Sequence, residues 1–244
     1  MKKLWFHFIM SIGPDCRAAR HLQEHGLRTQ ASPLDWQMTN SLPPVLHLVR
    51  TSFQDFFEEI EDTQKQVDEH RFVLDTKNQI KSIHHFPISQ NLLSAQIQFR
   101  RQMLHRWEKS DRAIKEGKRI ALVSSRKEPL GELESFLTAF GEWYPDQKIT
   151  MINIRDTDVE NSKIVCKEVV LSPKLKIIEY QFHDVHPNGT TKAVNPDFWL
   201  GNPEKWAYVM EQLRVINPVH FQKPCRYYRT QKNPNTCEPT AANQ

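Results

Sequence analysis

The chain opens on an apolar run, Leu4 to Ile12, rich in aromatic and branched residues and stopped by Gly13-Pro14. A short run of this kind, bounded by turn residues, predicts a buried core strand. Asp15 then predicts the N-cap of a helix from Cys16 to about Glu24, with Ala19, Leu22 and Gln23 on one face. Gly26 is placed to end that helix in a left-handed cap. The next stretch is extended and runs into Pro33-Leu34-Asp35-Trp36. Pro43-Pro44 predict a second helix, in which Leu46, Val49, Phe53, Phe56, Phe57 and Ile60 recur at helical spacing.

Phe72-Val73-Leu74 and Ile80-Lys81-Ser82-Ile83 flank a polar Asp75-Thr76-Lys77-Asn78 and predict a hairpin, followed by His84-His85-Phe86-Pro87. A long helix is predicted from about 89 to 116, with Leu93, Ile97, Arg100, Leu104 and Trp107 along one side and Gly117 as its stop. Ile120 to Val123 reads as a short buried strand, 132–143 as an amphipathic helix, and 149–154, 165–170 and 175–180 as further strands. A last helix is predicted from 203 to 213. Strand and helix alternating through the second half predict one α/β domain over 1–224, three-layered, with a mostly parallel sheet flanked by helices. The alternative is an α+β papain-like arrangement. Residues 225–244 are polar, rich in Pro, Asn and Thr, and read as a partly disordered tail.

Composition narrows the function classes. The 244 residues carry 33 Lys and Arg against 29 Asp and Glu, a net charge of +4, with acids and bases interleaved. No basic stripe with interleaved aromatics is present, which argues against nucleic-acid binding. Four cysteines, Cys16, Cys166, Cys225 and Cys237, are too few and too scattered for a disulfide scaffold and suit a reducing compartment. The first apolar run carries His7 and ends among charges rather than at a small-residue cleavage site, so a strand is expected there and not a signal peptide. No run approaches the roughly 18 apolar residues of a membrane helix. A cytoplasmic protein without cofactor is expected.

Cys16 is the best candidate reactive group. It falls where a predicted strand gives way to a helix, and free N–H groups with the helix dipole favour a thiolate there. Arg20, one turn on, adds positive charge, whereas Asp15 opposes it. The competing reading is a buried cysteine that fills space. A phosphatase-type loop is excluded, because Leu22 stands where its arginine would be, and no Cys-x-x-Cys exists. His220, Cys225 and Cys237 are too loosely spaced for a zinc motif, so no metal site is expected.

The segment Ser11-Ile12-Gly13-Pro14-Asp15-Cys16, then Gly26-Leu27-Arg28, then Ser32-Pro33-Leu34-Asp35-Trp36, resembles the opening of the bacterial papain-like cysteine peptidases, a family of uncharacterised domains. The likeness continues through His84-His85-Phe86, Arg100-Arg101, Ile120 to Arg126, and Trp199-Leu200-Gly201 to Trp206, and is densest over the first forty residues. It implies a hydrolase or acyl-transfer enzyme acting on a peptide or acyl-bearing substrate, with Cys16 as nucleophile and His84 as general base. Leu34 stands where the family has an aromatic, and His85 follows where the family has an acid, so either imidazole could be the base. Asp35 could orient a histidine or cap the Cys16 helix while Trp36 walls a pocket, or the pair could be a turn with an aromatic anchor. Arg20, Arg100, Arg101 and Arg126 could bind an anionic group, as they would in a non-catalytic binding module. His183-Asp184-Val185-His186 is similar to the late Asp-x-x-His element of SGNH-type esterases, which makes His186 an alternative base.

Overall fold

The computed structural model describes residues 3–39, 41–158 and 163–216. The tail at 225–244, the domain end at 224 and the weighed zinc ligands His220, Cys225 and Cys237 lie outside the described residues. In chain order the elements are β1 (Leu4–Phe6), β2 (Phe8–Ser11), α1 (Cys16–Glu24), β3 (Gln37–Thr39), α2 (Leu42–Arg50), β4 (Ile60–Val67), β5 (His70–Asp75) and β6 (Ile80–Ser82). There follow α3 (Leu92–Glu116), β7 (Arg119–Ser124), α4 (Leu130–Trp143), β8 (Lys148–Asp156), β9 (Val165–Val170), β10 (Leu175–Phe182), α5 (Pro203–Met210) and β11 (Leu213–Val215).

Near-continuous apolar runs make the central sheet, because strands covered on both faces have no polar face to show. Its order is β2-β7-β8-β10-β9; the first four are parallel and β9 is antiparallel at the edge. Alternate residues feed opposite faces. Phe8, Met10, Leu122 and Met151 pack with Phe99, Met103, Phe136 and Phe140, whereas Ile9, Ala121, Val123 and Ile152 pack with Ala18, Leu22, Trp206 and Val209. A second, antiparallel sheet runs β3-β6-β5-β4, and β1 pairs in parallel with β11. The molecule is a single mixed α/β domain. The expectation of a mostly parallel sheet is too simple, because the sheets are mixed.

Other corrections have local causes. The first run is two strands, since His7 breaks it: its backbone N–H donates to Arg119 O and its Nδ1 accepts from Arg119 N. The helix expected through Ile60 ends at Arg50, where Ser52 and Phe53 take positive φ values of 52° and 59°. Phe53, Phe56 and Phe57 are buried all the same, by turns rather than by a helix. The stripe expected on α3 is rotated. Leu93 and Ile97 are 63% and 53% exposed, and Ala95, Phe99, Met103, Trp107 and Ile114 face the core.

This rotation gives a stability prediction. Phe99→Ala should cost about 3–5 kcal/mol by emptying a packed aromatic site. Leu93→Ala should stay within about 0.5 kcal/mol, as an exposed side chain does. Urea denaturation of both variants checks it, and equal losses would contradict the assigned face.

Candidate active site

Cys16 is positioned by the end of β2. The chain leaves the sheet through Gly13, at φ 83°, and Asp15 caps α1 by accepting from Arg17 N–H at 2.9 Å. Cys16 is the first helical residue and only 8% exposed. Burial pushes its thiol up to about 12, and the carboxylates of Asp15 and Asp35 push the same way. Only its own backbone N–H works in the other direction. The thiol lowered by the helix start, expected from sequence, is therefore corrected: desolvation and two carboxylates outweigh the dipole.

Asp35 lies in the turn that follows Pro33 and is fully buried. Its Oδ2 accepts from Arg28 Nη1 and from Ser32 N–H, each at 3.0 Å. It thus neither orients a histidine by hydrogen bond nor caps α1, as the sequence reading had allowed. Burial raises its carboxyl, against the lowering charges of Arg28 and Arg106. Trp36 takes a positive φ of 66°, and the Arg28 guanidinium sits 5.9 Å from its ring centroid.

The two adjacent histidines have different surroundings. Burial lowers His84, the His70 ring adds to this, and Asp68 opposes it, so His84 belongs with the β4–β5 turn. Burial lowers His85 to about 3, with Arg106 the next cause. The Nδ1 of His85 lies 2.9 Å from Ser82 Oγ and 3.5 Å from Gln37 Nε2. Gln37 and Ser82 are themselves paired across β3 and β6. The charge of Asp35 raises the Cys16 thiol, and the charge of Arg106 lowers both Asp35 and His85. Sequence reasoning missed Ser82, Gln37 and Arg106, because only a strand pairing between distant residues brings the first two to the ring.

The remaining candidates lie elsewhere. Arg20 pairs with Glu24 at 2.8 Å on the surface, and Arg101 is exposed on α3. Arg100 donates to the carbonyls of Phe56 and Gln54. Arg126 is wholly buried, bonding Glu128 at 2.6 Å and Ile12 O at 2.9 Å, which makes it a tie between strand ends rather than a substrate arm. His186 is 9% exposed and its Nδ1 accepts from Asn188 N–H. A cleft of about 430 Å³ opens at the carboxyl ends of the parallel strands, lined among others by Asp15, Arg17, Ser125, Lys127 and Asp156. Residues either side of Cys16 line it, while the thiol faces inward. Among the described residues no group of His, Cys, Asp and Glu could hold a metal ion, and no helix is long and apolar enough to cross a membrane.

Helix α1 is clamped against the later part of the chain. Arg17 donates to Asp184 Oδ2 at 2.5 Å and to Trp199 O at 2.7 Å. Asp184 Oδ1 also accepts from Asn202 N–H and from the Trp206 indole. His21 stacks on Trp206 at 4.4 Å and its Nε2 donates to Leu200 O at 2.9 Å.

Residues 7–140, more than half of the chain, match the model of a family described as "Putative papain-like cysteine peptidase". The chain is also 22% identical over 139 residues to an uncharacterized protein of Acanthamoeba polyphaga mimivirus. That match covers 49% of this chain and 62% of the viral protein, so the chain spans about three fifths of that relative's length. No solved structure matches.

Two measurements follow from the burial of these groups. Limiting iodoacetamide at neutral pH should label the exposed Cys166 ahead of Cys16, whose thiol stays protonated and covered. Peptide mapping reads the order, and Cys16 reacting first would contradict the raised thiol. His21, lowered to about 4 in the fold against 6.5 when free, takes up its proton only on unfolding. The unfolded chain then binds more protons in that window, so stability should fall as pH drops from 6.5 towards 4, by on the order of 3 kcal/mol for this residue. The loss should be shallower in His21→Gln; an unchanged slope would refute the assignment.

Proposed function

The chain belongs to the family described as "Putative papain-like cysteine peptidase", and from that premise we propose that it is a cysteine-nucleophile hydrolase acting on a peptide or other acyl-bearing substrate through Cys16. The observation that carries this reading is the position of Cys16 itself. It is the first residue of a helix that follows a core strand, inside the matched stretch, and the buried Asp35 carboxylate helps to keep its thiol protonated. Backbone N–H groups at that helix start are donors for a developing oxyanion. Of the two neighbouring imidazoles we assign His85, since Arg106 links it electrostatically to Asp35, whereas His84 answers to His70 and Asp68. A protonated resting thiol is compatible with attack in which the proton leaves as the bond to carbon forms.

The protonated, covered thiol also favours a second reading, a non-catalytic module for an anionic ligand. Its weakness is that three of its four guanidinium groups are engaged, Arg20 with Glu24, Arg100 with the carbonyls of Phe56 and Gln54, and Arg126 with Glu128 and Ile12 O, which leaves the exposed Arg101 on α3. The SGNH-like reading with His186 has no contact that ties this ring to Cys16.

Hydrolysis of a panel of fluorogenic peptide amides and activated esters tests the proposal. Cys16→Ala should lose about a thousandfold or more in kcat/KM, and His85→Ala about a hundredfold or more. His84→Ala and His186→Ala should stay within a few fold. Turnover that survives in Cys16→Ala sinks the proposal, and loss confined to His186→Ala would move it to the SGNH-like reading.

A further inference from the structure

We infer that the cleft at the amino ends of β7 and β8 is a binding site for a small oligophosphate, a ligand with two or three linked phosphate groups. The cleft encloses about 510 Å³. It lies at the end of the parallel strands opposite to the one that carries Cys16, so the inference is independent of the acyl-transfer reading.

The sheet register brings the charges together. Arg119 opens β7 and Lys148 opens β8, and the two are direct partners in the parallel pairing. Leu175 pairs with Ile149, so Lys174 stands level with Lys148 on the next strand. Adjacent strands are about 4.8 Å apart, and three cations at three strand starts therefore form a row about 10 Å long. Ile120 and Ile149, the next residues inward, pack with the α3–α4 layer, and alternation sends Arg119 and Lys148 to one and the same opposite side. Lys118, and Lys115 near the end of α3, complete the cations lining the cleft; its carboxylates are Glu116 and Asp146.

Like charges side by side on neighbouring strands destabilise a sheet, and the fold offsets few of these. Lys115 is held by Asp111 at 2.6 Å, and Lys174 Nζ donates to Pro145 O at 2.5 Å. Lys118, Arg119 and Lys148 are exposed, and among the described residues no carboxylate lies within ion-pair distance of them. The end of a helix is the ordinary reason for cations in such a place. Here, however, the Gln147 amide already donates to Lys115 O, and Lys148 N–H to Lys118 O. Anionic oxygens are the partners this row lacks. The Arg119 fork matches two oxygens of one phosphate, and the lysines are point charges for the next. The volume is that of a small-molecule site. No aromatic side chain lines it, whereas single-stranded nucleic acid is held by stacking its bases on such rings. Recognition therefore rests on the phosphates and not on an attached nucleoside.

Equilibrium dialysis of the full-length protein against radiolabelled inorganic triphosphate, without divalent cations, tests this. The triphosphate should fill a single site, and orthophosphate should bind at least about tenfold more weakly. Arg119→Gln and Lys148→Gln should each weaken triphosphate binding about tenfold, and the double variant should abolish it. Lys127→Gln removes the same charge at the other end of the sheet, beside Asp156, and should leave binding unchanged. ATP should compete within a few fold of unlabelled triphosphate. Absence of bound triphosphate at millimolar concentration overturns the inference. So does a loss in Lys127→Gln equal to that in Arg119→Gln, which would mean attraction to net charge alone. Binding of ATP without binding of triphosphate overturns it in favour of a nucleoside site, and tighter binding of single-stranded RNA or of anionic vesicles overturns it in favour of a macromolecular surface.

Discussion

A single buried carboxylate sets where the candidate nucleophile can be. Asp184, at the end of the β10 strand, takes the guanidinium of Arg17, the indole N–H of Trp206 and the backbone N–H of Asn202. A carboxylate removed from water is costly unless it is this fully bonded, and losing one donor would leave the others to hold an uncompensated charge. The backbone must come close to allow it. Gly201 has a φ of 70°, and a Cβ there would overlap the Asp184 carboxyl. Arg17 is the residue after Cys16, so the same contact fixes the first turn of α1. Asp184 and Trp206 lie outside residues 7–140, so the site in the family stretch depends on the second half of the chain for its placement.

The balance of forces at Cys16 decides what kind of chemistry the site can support. A helix start favours a thiolate by about 0.3–1 kcal/mol. Burial and two carboxylates move the thiol from 9.0 to about 12, which corresponds to roughly 4 kcal/mol the other way. The larger effect wins, and the resting group is a thiol. In that environment neither a resting thiolate at Cys16 nor a protonated His85 imidazole is favoured.

Local signals were legible in the sequence, and distant pairings were not. Helix α1 runs from Cys16 to Glu24 as expected, because an N-cap aspartate and a left-handed Gly26 are written next to it. The hairpin of β5 and β6 and the buried runs of β7, β8 and β10 were equally plain. The break at His7 was hidden, because it depends on bonds to Arg119, 112 residues away along the chain. On α3 two apolar stripes compete, and only the aromatic cluster of Phe56, Phe57 and Phe86 selects the one bearing Phe99. The same limit applied to the site. Cys16 could be named from its place between a strand and a helix, and the histidine pair from the family resemblance, whereas Ser82 and Gln37 acquire meaning only once β3 lies beside β6.

The central claim is that Cys16 carries the acyl group during turnover. Mass spectrometry of the protein, acid-quenched within milliseconds of mixing with an activated peptide thioester and then digested, tests it most directly. The account predicts one acyl adduct, on the peptide bearing Cys16, that forms and decays at the rate of hydrolysis. Substrate consumed with no adduct on that peptide, or with the label on Cys166 instead, would contradict it.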